Sequence, residues 1–197
     1  MNLSFSSLLQ LARFTLQRPR EGAQTVLQMN PTRDVRWTAF VLMAVLSALM
    51  TAISLILLPP EMRAVVGTRL PNPLLSAALQ GGVLLISVVA IYRVGRWFGG
   101  HGSFADALLL LVWLQFILLL VQAAQLVAQV VLPPLSDVIG LLGIALFFWL
   151  LTNFIAELHG FASRAAVFAG IVVTTLVLAF ALAVLLLPYM TSLPPGI

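Results

Sequence analysis

The feature that most restricts this chain is an apolar run from Ser103 to Leu132, which is long enough to cross a bilayer as one helix. A transmembrane helix needs about 20 apolar residues to cross a hydrocarbon core roughly 30 Å thick. At about 100° per residue, four glutamines of this run share an arc of roughly 80°: Gln115, Gln122, Gln125 and Gln129. An amide that faces acyl chains has no hydrogen-bond partner, so the stripe is expected to face other helices. We therefore place this segment at the centre of a membrane bundle.

The composition agrees with a membrane protein. Of the 197 residues, 61% are hydrophobic and 8% are charged, against about 25% charged in ordinary soluble domains. The net charge of +4 comes from ten arginines and six acids without any lysine, and so few cations do not form a nucleic-acid surface; we expect no nucleic-acid partner. Cysteine is absent, which excludes disulfides and thiol catalysis. We expect no cofactor.

Further apolar stretches complete a set of five predicted spans. They run at about 37–58, 73–98, 104–132, 136–155 and 165–187. The fold class that follows is all-α: a polytopic bundle of five transmembrane helices (residues 37–187), preceded by a cytoplasmic or interfacial amphipathic segment (residues 1–36). A short tail (residues 188–197) is expected on the far side.

The N-terminal segment has the pattern of an amphipathic helix over residues 2–17. Its apolar positions Phe5, Leu8, Leu9, Ala12 and Leu16 share one face. Five arginines lie in this segment: Arg13, Arg18, Arg20, Arg33 and Arg36. An apolar face next to arginines is typical of a helix in the headgroup layer of an anionic leaflet. The alternative is a helix that packs against the protein's own bundle, and the sequence does not choose between them.

The distribution of arginines predicts the orientation of the bundle. Eight arginines fall on the side of the N-terminus, and only Arg63 and Arg69 fall on the other side. We therefore expect a cell inner membrane protein whose N-terminus is cytoplasmic. With an odd number of spans, its C-terminus is expected in the periplasm.

The glutamine stripe has two interpretations. It can join helices through hydrogen bonds, with Gln80 on the second span and Asn153 on the fourth as partners. It can also form a docking face for another membrane protein or a polar path. A conducting path usually carries a charge or a broken helix at mid-membrane, and every titratable residue of this chain lies near a predicted span boundary. Internal contacts are therefore favoured.

Two motifs lie at predicted helix ends. The turn Gly99-Gly100-His101-Gly102-Ser103 is a tight connection, and Ser103 with Asp106 has the form of a capping box. A second group, His101, Asp106, Glu157 and His159, combines imidazoles and carboxylates at one rim of the bundle. Such a group could bind a metal or relay protons. Helix ends in solvent explain the same residues, so we predict no metal site.

Three segments give the chain a resemblance to a bacterial member of the Yip1 family. They are Pro19-Arg20-Glu21, the turn from Gly99 to Phe104, and His159-Gly160-Phe161 followed by Arg164. The resemblance implies five spans and a cytoplasmic N-terminus. Eukaryotic relatives act in vesicle traffic and bind Rab-type GTPases, but their Asp-Leu-x-Gly-Pro signature is not present here. The resemblance therefore does not imply that this chain binds GTPases.

The sequence leads to one main functional hypothesis. The chain is expected to be a non-enzymatic membrane protein that associates laterally with anionic lipids of the cytoplasmic leaflet, with other integral membrane proteins, or with itself. The alternative is a transporter of ions or small molecules with a polar path along the third span.

Overall fold

The structure is a computed structural model that describes residues 4–58 and 73–191. Within these residues the chain forms helices and no strand: α1 Phe5–Gln17, α2 Pro19–Gln28, α3 Arg33–Leu57, α4 Pro73–Trp97, α5 Phe104–Val131, α6 Pro133–His159 and α7 Arg164–Thr191. Helices α3 to α7 are long and apolar enough to cross a membrane, which confirms the five-span all-α class. Residues 188–191, expected in the tail, still belong to α7. Arg63, Arg69 and residues 192–197 lie outside the described residues.

Helix α5 is the central element of the bundle, as its polar stripe predicts. It packs against α3, α4 and α6, and also against α2. Half of its span is buried inside the protein (50%), against 11% for α4 and for α7. The largest wholly buried side chains of the core include Leu108, Leu114 and Ile117 of α5. Most of the apolar burial between helices therefore involves α5, whereas most of the surface of α4 and α7 is available to lipid.

Helices α1 and α2 form a hairpin that packs against the bundle. The two helices approach closely where Gly22 of α2 lies on Thr15 of α1, since a Cβ at Gly22 would overlap that threonine. Ala23 and Val26 of α2 are buried, and α2 contacts α5 and α6. The Nε1–H of Trp113 on α5 donates a 3.2 Å hydrogen bond to Oγ1 of Thr15. The N-terminal segment is thus fixed to its own bundle.

One end of the bundle collects most of the charged residues, and we call it the basic end. Helices α3, α5 and α7 begin there at Arg33, Phe104 and Arg164, and α4 and α6 end there at Trp97 and His159. Hydrogen bonds join the hairpin to this end. Gln24 Nε2 donates to Glu157 Oε1 over 2.6 Å, and Arg20 Nη2 donates to the carbonyl of Phe161 over 3.0 Å.

The expected cap of α5 is confirmed. Ser103 Oγ accepts a hydrogen bond from the backbone N–H of Asp106 over 3.1 Å and donates to Oδ2 of the same residue over 2.6 Å. At the same end of the bundle, α6 ends in a left-handed cap, in which Gly160 has a φ of 73°. The N–H of Phe161 then bonds to the carbonyl of Ala156 over 2.8 Å, so the chain reverses sharply before α7.

Candidate functional site

A cleft of about 800 Å³ lies between α4 and α7, with α3, α5 and α6 at its floor. Most of its lining is apolar, from Leu79, Val83 and Leu84 on α4 to Val167 and Ile171 on α7. It exists because α7 packs mainly on α6, so that α7 stands apart from α4. This volume is in the range of about 300–1,000 Å³ that ligand pockets occupy.

The two glutamine amides of the cleft form hydrogen bonds between spans. Gln115 Nε2 on α5 donates to Ser47 Oγ on α3 over 2.7 Å. Gln80 Nε2 on α4 donates to Thr51 Oγ1 on α3 over 3.2 Å. These amides were expected to meet partners on other spans, and both meet hydroxyls of α3. Each of these amides therefore already uses one of its two N–H donors within the protein.

The other amides of the predicted set lie outside the cleft lining. Gln122, Gln125 and Gln129 are half-buried, and among the described residues their side chains have no hydrogen-bond partner. The Nε2 of Gln125 lies against Gly140 of α6, where a Cβ would be only 2.8 Å from it. Asn153 is 2% exposed; its Nδ2 donates to the carbonyl of Trp149, and its Oδ1 has no partner. Of the predicted amides, Gln80 and Gln115 thus line the cleft, and Gln122, Gln125, Gln129 and Asn153 do not.

His159 lies in a cradle of glycines, a feature that the sequence analysis missed. A Cβ at Gly95, Gly100 or Gly102 would overlap the imidazole, which is 2% exposed. Its Nδ1 accepts a hydrogen bond from the backbone N–H of Gly102 over 3.2 Å, and its Nε2 lies 3.1 Å from the carbonyl oxygen of Ile91. Because Nδ1 accepts, the ring is neutral and Nε2 carries the proton. The turn from Gly99 to Ser103 therefore packs against the end of α6 and also connects α4 to α5.

The group of imidazoles and carboxylates at the rim does not form one site. His101 is exposed, whereas His159 is enclosed by its cradle. Asp106 is bound to Ser103 and lies 3.9 Å from Arg36 Nη2, and Glu157 is bound to Gln24. Within residues 4–58 and 73–191, no three His, Cys, Asp or Glu side chains come together to hold a metal.

The five arginines assigned to the membrane surface divide into two groups. Arg20 donates to the carbonyl of Phe161. Arg36 donates to Oδ1 of Asn30 over 2.8 Å, and its side chain is only 11% exposed. Arg20 thereby joins the hairpin to the connection between α6 and α7. Arg36 joins α3 to the connection between α2 and α3. Both side chains therefore make contacts within the protein. Arg13 and Arg33 are exposed, and Arg18 is exposed and pairs with Glu21 over 3.2 Å.

Helix α1 keeps an apolar edge on the outside of the protein. Leu8 and Leu11 pack against the core, but Phe5 is 64%, Leu9 39% and Leu16 38% exposed. These three positions lie within an arc of about 40° at roughly 100° per residue. The buried face of α1 thus binds the bundle, and a neighbouring apolar edge remains uncovered.

A central span, four surrounding apolar spans and a docked amphipathic hairpin define a multi-pass integral membrane protein. The chain belongs to the Yip1 family, since the model of the Yip1 domain matches residues 14–185. It shows no significant match to a curated protein or to a solved structure. The family match begins inside α1 and ends inside α7, so it covers α2, the cleft and the glycine cradle but only the last residues of α1.

Proposed function

We propose that this chain is a non-enzymatic protein of the cell inner membrane that organises its surroundings by lateral association with lipids. Its preferred partners are anionic lipids of the cytoplasmic leaflet, and neighbouring integral membrane proteins or further copies of itself associate through the same lipid-facing surfaces. The observation that supports this proposal best is the uncovered apolar edge of α1 (Phe5, Leu9 and Leu16) on a helix that is anchored to the bundle.

The anchor sets the height of that edge in the bilayer. Trp113 is nine residues beyond the start of α5, and its side chain points back toward the start of the helix. Its bond to Thr15 therefore holds α1 beside the first turns of α5, where the bundle enters the hydrocarbon. An apolar edge at this height meets acyl chains below the headgroups.

Charge supports the choice of an anionic leaflet. Arg13 on α1 and Arg33 at the start of α3 are exposed cations at the same end of the bundle. A basic residue near an anionic membrane surface contributes about 1 kcal/mol. The excess of arginine at this end also favours a cytoplasmic position, which is where anionic lipids act on such residues.

The absence of native cysteine makes a direct test simple. Leu9→Cys and Gln10→Cys place the same polarity-sensitive dye on neighbouring exposed positions, one on the apolar edge and one on the polar face. In vesicles with anionic lipid, we expect a blue-shifted and lipid-quenched signal at position 9 and an aqueous signal at position 10. Equal aqueous signals at both positions would contradict the proposal.

A second candidate function is transport of a small molecule. The observation in its favour is that Gln80 and Gln115 both line a cleft that reaches between the spans. Proteoliposomes that release a trapped solute only when the protein is present, and less so with Gln115→Leu, would favour transport over lipid organisation.

A further inference from the structure

We propose that the cleft between α4 and α7 binds one acyl chain of an anionic phospholipid, whose headgroup lies at the basic end. This site is separate from the α1 edge on which the proposed function rests. It would make the protein a binder of individual lipid molecules as well as a surface for the leaflet.

The shape of the cleft suits a chain. On α4 its lining extends from Leu79 to Phe98, which is roughly 28 Å at about 1.5 Å per residue. On α7 it extends from Ala166 to Leu178, or roughly 18 Å by the same measure. One leaflet of hydrocarbon is about 15 Å deep, half of the roughly 30 Å core. The cleft is thus long enough to take a chain that enters from one leaflet.

The chemistry of the lining suits hydrocarbon. Among residues 4–58 and 73–191, no charged side chain lines the cleft, and its polar members are serines, threonines and two glutamines. One N–H of Gln80 and one N–H of Gln115 already bond to α3. An ion or a polar solute would have to give up its hydration with few free groups to replace it, whereas an acyl chain gives up nothing.

The charge around one mouth of the cleft selects the headgroup. The lining reaches the basic end at Phe98 and Ser163, and Arg164 follows Ser163 directly. Arg164 is exposed, and among the described residues it forms no ion pair. An anionic headgroup at this mouth would supply the missing negative charge.

The chain offers a matched pair of variants for the test. Gly170 lines the cleft on α7, and a Cβ there meets nothing within 4 Å. Gly82 on α4 also has open space around its Cβ but does not line the cleft. Gly170→Phe therefore fills the cleft, and Gly82→Phe adds the same ring elsewhere on the membrane surface.

The experiment uses the full-length protein in nanodiscs that contain phosphatidylglycerol with a photoreactive acyl chain. We expect cross-links on cleft residues of α4 and α7, a severalfold loss with Gly170→Phe, and no loss with Gly82→Phe. Replacing Arg164 by glutamine should reduce labelling by phosphatidylglycerol more than labelling by a phosphatidylcholine probe.

Three outcomes would overturn the proposal. Labelling that is spread over the outer faces of the spans and insensitive to Gly170→Phe removes the acyl-chain site. Equal labelling by both probes removes the anionic headgroup. Cross-links between two protein copies through the cleft identify a different occupant. The dye signal at position 9 is independent of all three, so a failure here is distinct from a failure of the proposed function.

Discussion

Trp113 in the central span donates a hydrogen bond to Thr15 in the N-terminal amphipathic helix, across 98 positions of sequence and 3.2 Å of space. Thr15 is completely buried and donates its own proton to the carbonyl of Leu11 over 2.8 Å. It also touches Gly22. One threonine thus joins α1, α2 and α5, and it holds the hairpin in place together with the hydrogen bonds of Arg20 and Gln24.

Trp113→Phe tests this joint. The change removes the donor and some apolar contact while keeping an aromatic ring, so we expect a loss of about 1 kcal/mol in the free energy of unfolding. We also expect faster proteolysis of α1. Trp149→Phe is the control, because Trp149 is 44% exposed and the same change there should stay within about 0.5 kcal/mol. Equal stability of the two variants in a thermal melt would argue against the joint.

The glycine cradle predicts a strong effect of a single methyl group. Gly95→Ala places a Cβ into the imidazole of His159, and overpacking of this kind costs about 1–3 kcal/mol. Gly82→Ala, in the same helix with open space, should be neutral or stabilise by up to about 1 kcal/mol. Adding His159→Ala to Gly95→Ala should restore part of the loss. Additive losses in the double variant would show that the two residues do not interact.

The hydrogen bonds of His159 predict its protonation state. Nδ1 accepts from Gly102 and Nε2 faces the carbonyl of Ile91, so the ring should be the neutral Nε2–H form. Nitrogen-15 NMR of labelled histidine in lipid should show one protonated and one bare ring nitrogen for His159. His101 is the second histidine of the chain and gives the other signal. His159→Gln distinguishes the two signals, and a mixed-tautomer signal that disappears in this variant would contradict the cradle.

The general architecture follows from local properties of the sequence. Apolar length gives the spans, arginine bias indicates one charged end, and Ser103 with Asp106 marks the start of α5. The polar stripe correctly predicts that α5 is central, although among the described residues only Gln115 of its four glutamines forms a hydrogen bond to another span. The family resemblance is confirmed by the Yip1 domain match over residues 14–185.

The contacts between helices could not be predicted from local properties of the sequence. Which hydroxyl meets Gln115 depends on the rotation of α3, and no local pattern sets that rotation. The cradle combines Gly95 and Gly102 with His159, which lies 57 residues beyond Gly102. Individually these residues resemble turn residues or solvated helix ends. The cleft results from the way that α7 leans on α6, which is a property of the whole bundle.

The glutamine stripe gives the final prediction, because the sequence treats its members alike and the structure does not. Gln115 bonds to Ser47 over 2.7 Å, whereas the side chain of Gln122 has no hydrogen-bond partner among the described residues. Gln115→Leu should therefore lower stability in detergent by about 0.6 kcal/mol, the average for a polar contact between membrane helices. Gln122→Leu should have little effect or stabilise, since it replaces an unbonded amide with an apolar side chain. A double-mutant cycle of Gln115→Leu with Ser47→Ala measures the coupling, and a coupling of zero would mean that this amide does not join α5 to α3.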